Sequence, residues 1–87
     1  MKKTVWQMPD RVVFVGIQPS LKKEEIENLQ QWALEYIKEI GKFALAGKIG
    51  QRKGVSHFRI TTTHPWPGFK KAVEIGLEKG LEELSRA

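Results

Sequence analysis

Residues 11–17 read Arg-Val-Val-Phe-Val-Gly-Ile. β-branched and aromatic side chains occupy both parities of this run. A strand that is apolar on both faces needs at least partial cover on each, so the segment predicts a central strand. The rest of the chain has to be arranged around it. With 87 residues in all, that chain forms one domain, residues 1–87, and buries roughly 60–65% of its extended-chain surface. There is room for one sheet and one helical layer.

The flanking residues supply those parts. Thr4 to Met8 reads as a short strand, and Pro9-Asp10 suits the centre of a type I turn. Gln18-Pro19-Ser20 breaks the central strand, with Ser20 placed to cap a helix. Ile26, Leu29, Ala33, Tyr36, Ile37 and Ile40 then recur at spacings of three and four and share a helical face, flanked by Trp32 and Leu34. Gly41 stops that helix as a left-handed cap. Residues 42–50 alternate, with Phe43, Leu45 and Ile49 on one side and Ala44, Ala46 and Lys48 on the other. Residues 50–54 read as a flexible cationic turn. Val55 to Thr63 alternates again, placing Ser56, Phe58, Ile60 and Thr62 opposite His57, Arg59 and Thr61. The two runs predict a β-hairpin. After the connector His64-Pro65-Trp66-Pro67-Gly68, a helix is expected from about Phe69 to Ser85, with Phe69, Ala72, Val73, Gly76, Leu77, Gly80 and Leu84 as its apolar stripe. Glycine costs about 1 kcal/mol relative to alanine inside a helix. Two of them, four apart on the buried face, predict close approach of another backbone, from the sheet or from a partner chain.

The element order is β-β-α-β-β-α. It predicts an α+β two-layer sandwich, a permuted ferredoxin-like arrangement. Its four-stranded antiparallel sheet has spatial order 1-2-4-3, with both helices on one face. If residues 4–17 form one bent strand instead, a three-stranded β-α-β-β-α version remains.

Several function classes drop out. There is no cysteine, so disulfides and Cys-bound zinc are excluded. No apolar run reaches the ~18–20 residues that span a bilayer, and the N-terminus has no apolar signal region. A soluble cytoplasmic protein without membrane association is expected. No cofactor motif is visible. His57 and His64 are seven apart with no acidic neighbour in sequence, which makes a poor metal site and offers no acid–base pair. The expectation is a protein without enzymatic activity.

The strongest functional signal is the placement of charge. Between Glu39 and Glu74 there is no acidic residue, yet the interval holds Lys42, Lys48, Arg52, Lys53, Arg59, Lys70 and Lys71. Such a patch attracts a polyanion, and nucleic acid is the usual one. Lys48, Arg52 and Lys53 of the second hairpin, Arg59 beside them, and Lys70 and Lys71 at the start of the second helix are therefore the expected phosphate contacts. His57 and Trp66 are expected to meet bases. An open sheet with basic and aromatic groups interleaved is how single-strand binders are built. The competing expectation is a homodimeric accessory protein that uses the same apolar sheet face for pairing.

The run Ile37-Lys38-Glu39-Ile40-Gly41-Lys42-Phe43, followed by Arg52-Lys53-Gly54-Val55-Ser56-His57, resembles HicA-type toxins. These are small mRNA interferases of double-stranded-RNA-binding-domain type, with a Gly-Ser-His on a strand after a helix. The resemblance covers about a quarter of the chain and has one extra residue inside the motif. The N-terminal hairpin and the C-terminal helix depart from that family. It implies a ribonuclease in which His57 is catalytic.

Overall fold

The computed structural model describes residues 1–9 and 11–86. The elements are β1 (Lys2–Met8), β2 (Val12–Gln18), α1 (Lys23–Glu39), β3 (Leu45–Arg52), β4 (Val55–Thr61) and α2 (Phe69–Arg86). All neighbouring strands pair antiparallel, in the order β1-β2-β4-β3. Residues 4–17 form a hairpin and not one bent strand: β1 pairs with β2 from Lys2↔Gln18 to Met8↔Val12. The turn expected at Pro9-Asp10 includes Asp10, which lies outside the described residues. No described helix is long and apolar enough to cross a membrane.

Both helices cover the same face of the sheet. The core between the layers combines Val13, Val15 and Ile17 of β2 with Phe58 and Ile60 of β4. Against them lie Ile26, Leu29, Ala33 and Ile37 of α1 and Phe69, Ala72, Val73 and Leu77 of α2. The expected stripes hold with two exceptions: Ile40, past the end of α1, stays 43% exposed, and near the end of α2 it is Leu81, not the expected Leu84, that packs against the core. The glycines of α2 face α1, not the sheet and not a second chain. A Cβ on Gly76 would lie 2.6 Å from the Ala33 Cα, and one on Gly80 would meet Leu29 and Trp32 side chains at 2.9–3.1 Å.

The ends of α1 differ in how well they follow local sequence. At the C-terminus, Lys42 N–H donates to Ile37 O and Gly41 N–H to Lys38 O, both at 3.0 Å, with Gly41 at φ 77°. This is a complete Schellman motif. At the N-terminus, Ser20 is not the cap; Lys22 is. Leu21 is held by the second hairpin: its N–H donates to Ser56 Oγ at 2.7 Å, and the Gln51 amide donates to its carbonyl. The helix starts only after that anchor, where the Glu25 carboxylate accepts from Lys22 N–H at 2.9 Å.

The second hairpin departs from the expected alternation. Its turn is not a flexible five-residue finger. Arg52 pairs with Val55, leaving a two-residue turn of Lys53 (φ 51°) and Gly54 (φ 77°). Positive φ at both positions defines the tight type I′ connection, whose twist matches that of the strands. Between Ala46↔Ile60 and Ile49↔Phe58 the register shifts, so Gly47 and Lys48 together oppose Arg59. This bulge reverses parity along β3. Leu45 falls opposite Thr61 and Ile49 opposite buried Phe58, on different faces rather than the same one. The buried Gln30 of α1 secures the irregularity. Its Nε2 donates to Gly47 O at 3.1 Å and to Arg59 O at 3.0 Å.

Two stability measurements follow. Gln30→Leu leaves both bulge carbonyls without that donor and should cost about 1–3 kcal/mol, read by chemical denaturation. Gly76→Ala gains up to about 1 kcal/mol of helix propensity, but its methyl would press on backbone. Overpacking of about 1–3 kcal/mol should win, giving a lower melting temperature than the parent.

Candidate functional site

Register assigns each strand residue to a face. On β1, Lys3, Val5 and Gln7 oppose Ile17, Val15 and Val13 and so lie on the helix side, where Lys3 forms an ion pair with Glu78 of α2. Lys2, Thr4, Trp6 and Met8 therefore project from the opposite, uncovered face. They are joined there by Val12, Phe14 and Gly16 of β2, by Val55, His57, Arg59 and Thr61 of β4, and by Leu45 and Gly50 of β3 with the Gly47-Lys48 bulge.

Three rings form a row across this face. Trp6 is the direct cross-strand partner of Phe14 and is 57% exposed. Phe14 leans over Gly16, where an added methyl would lie 3.7 Å from the phenyl Cε1. Phe14 stacks on His57 with centroids 5.4 Å apart and planes at 26°. His57 in turn rests on Gly50: a Cβ there would come within 2.7 Å of the imidazole Cε1 and 2.9 Å of Nε2. Glycine at 50 is what lets the imidazole lie down on the sheet. His57 Nδ1 is buried and has no hydrogen-bond partner among the described residues. Stacking, not a hydrogen bond, orients this ring. Beside the row, Lys2, Thr4, Trp6, Phe14, Gly16, Gln18 and Val55 line a shallow trough of about 230 Å³.

Charge separates by layer. None of the four strands contains an aspartate or glutamate, while β1, β3 and β4 contain Lys2, Lys3, Lys48, Arg52 and Arg59. Nine of the ten acidic residues are on the helices: Glu24, Glu25, Glu27, Glu35 and Glu39 on α1, and Glu74, Glu78, Glu82 and Glu83 on α2. Among the described residues the only ion pairs are Lys3–Glu78 and Arg86 with Glu82 and Glu83. Lys2, Lys48, Arg52, Lys53 and Arg59 have no carboxylate partner among them.

The residues singled out from sequence divide into two groups. Lys48, His57 and Arg59 are on the uncovered face. Arg52, opposite Val55, shares it, and Lys53 sits at the adjoining turn. Trp66, Lys70 and Lys71 are elsewhere. They lie past the end of β4 remote from the β3–β4 turn, around the start of α2. There they line an open cavity of about 580 Å³ with Gln7, Pro65, Gly68 and Glu74. Trp66 packs against the core, 5.3 Å from the Phe69 ring, with Lys42 Nζ 5.7 Å from its own centroid. The structure does not bring it to the sheet face. Phe14 is one of two alternatives, Val12 with Phe14 or Val13 with Val15, that the sequence leaves open, while Trp6 and Lys2 are the members of that face that sequence reasoning missed. Their signal was the parity of β1 relative to β2, which the turn between them fixes and composition does not.

Comparison with protein-family models, with curated proteins and with solved structures finds no match.

The arrangement of the face rests on the glycine beneath the imidazole. Gly50→Ala should displace His57 and separate it from Phe14. The expected result is loss of the ring-current shift on the His57 imidazole protons in NMR spectra, with the fold retained; an unchanged shift would contradict the arrangement.

Proposed function

We propose that this protein binds nucleic acid, RNA or DNA, through the uncovered sheet face. The observation behind this reading is that a sheet with no acidic residue presents Lys2, Lys48, Arg52 and Arg59 around an exposed Trp6 and the half-buried rings of Phe14 and His57. Cations so arranged, without carboxylates to neutralise them, suit a phosphate backbone, which repays them by counterion release. Lys53 at the adjoining turn extends the track. Lys70 and Lys71 lie outside it. The role is binding without catalysis. A ribonuclease in which His57 acts as an acid or base needs a group to orient that imidazole and hold its protonation state. Here its Nδ1 has no partner among the described residues, and its orientation comes from Phe14.

The same face suits pairing with a second copy, because Trp6 and Leu45 are 57% and 48% exposed on it. Salt dependence separates the readings. Affinity for a generic oligonucleotide should fall steeply with salt. Arg59→Ala and Lys48→Ala should each flatten the log–log slope by about 0.7–0.9, the value of one phosphate contact. Lys70→Ala with Lys71→Ala should leave it unchanged. No binding at low salt, together with a dimer in light scattering that Trp6→Glu dissociates, would replace this proposal with self-association.

A further inference from the structure

We infer that the ligand is single-stranded and that successive unpaired bases stack on the Trp6–Phe14–His57 row. This rests on the nucleic-acid reading and specifies which form of nucleic acid the face takes. A duplex presents phosphates at its rim and keeps its bases stacked on one another, so it has no use for rings laid along a sheet. A single strand offers base faces, and every base has one.

Three features of this face fit that ligand. First, the rings lie on three adjacent strands, β1, β2 and β4. At ~4.8 Å per strand the row is on the order of 10 Å long, enough for two or three bases, as on other sheets that bind RNA. Second, Gly16 and Gly50 keep the ground beside Phe14 and beneath His57 low, with side-chain positions that a Cβ would fill or crowd. The trough next to Trp6 and Phe14 opens over Gly16. Third, cations flank the row on both sides: Lys2 on β1, and Arg59 and the bulged Lys48 on β4 and β3. The bulge matters here. Lys48, next to the helix-side Ile49, lies on the uncovered face, and the shift in register beyond it brings Leu45 to that face as well. The ligand chain is thus expected to cross the strands, with bases inward and phosphates along the basic margins.

Fluorescence anisotropy with labelled oligonucleotides of about twelve nucleotides tests this, using a single strand, the same sequence as a duplex, and an abasic strand of equal length. The single strand should bind at least tenfold tighter than either competitor. Trp6→Ala and Phe14→Ala should each weaken it by about 5- to 150-fold while leaving the salt slope intact, and Trp6→Phe should restore most of the loss. Trp6 is exposed, so its truncation leaves the core in place, which circular dichroism verifies. Should the duplex or the abasic strand bind as well as the single strand, or the ring variants bind unchanged, the stacking inference falls and phosphate binding stands. Absence of binding to all three probes removes both.

Discussion

The backbone of α2 touches that of α1 at Gly76, with no side chain between them. Much else in the molecule follows from that contact. Helices normally pack 8–10 Å apart at a distance set by the side chains at the crossing. Two glycines on the α2 stripe let the helices close up over a sheet only four strands wide. Val73 and Leu77 then reach Val13, Val15, Phe58 and Ile60 in one continuous core. A methyl at position 76 would wedge the helices apart and open that core at its centre. Because both helices are used on one side, none of the described elements covers the other.

The uncovered face has an energetic cost. Aromatic side chains bury 150–250 Å² when enclosed, and apolar burial is worth about 25 cal/mol per Å². Leaving a ring such as Trp6 more than half in water therefore forgoes on the order of 2 kcal/mol. The stacks soften this without removing it: Phe14 shields His57, and each ring shields the backbone of the glycine beside it. A face built only for stability would carry threonine and valine there, as the Thr4, Val12, Val55 and Thr61 positions do.

How much of this was legible in the sequence depends on the range of the interaction that decides each feature. The helices, the strand order and the core were readable because apolar spacing is local and the two faces of a helix or strand are distinguished residue by residue. The stop at Gly41 was readable for the same reason. Ser20 was misleading because its neighbour Leu21 is claimed by Ser56 and Gln51, thirty or more residues away. The alternation of β3 failed at the bulge because the partner that stabilises it, Gln30, sits on α1. On β2, Val12 and Phe14 read as core candidates equal to Val13 and Val15. Nothing within the strand says which pair the helices will cover. Segmental charge was likewise a partial guide. The acid-free interval from 40 to 73 contains two strands of an acid-free sheet, and that is why it detected Lys48, Arg52 and Arg59. It also ran on into the first turn of α2, whose lysines lie beyond the opposite end of β4, and it stopped short of Lys2, which the fold places with the others.

Edge protection offers a purely structural account of some of these cations. Strands β1 and β3 are the two edges of the sheet, and lysine or a bulge on an edge strand discourages pairing with another chain. Lys2, Lys48, Arg52 and the Gly47-Lys48 irregularity all satisfy that account. Arg59 does not. It belongs to β4, an interior strand hydrogen-bonded on both sides, so no free edge is available for it to guard. It has no carboxylate partner among the described residues, and across the pair with β3 it lies against Gly47, where an added Cβ would come within 2.8 Å of the Arg59 Cβ. Its other cross-strand partner is Phe14, a member of the ring row. An interior guanidinium set between a glycine on one side and an aromatic ring on the other, with no described carboxylate beside it, gains little from the fold, and its placement is rational for an anion arriving from outside.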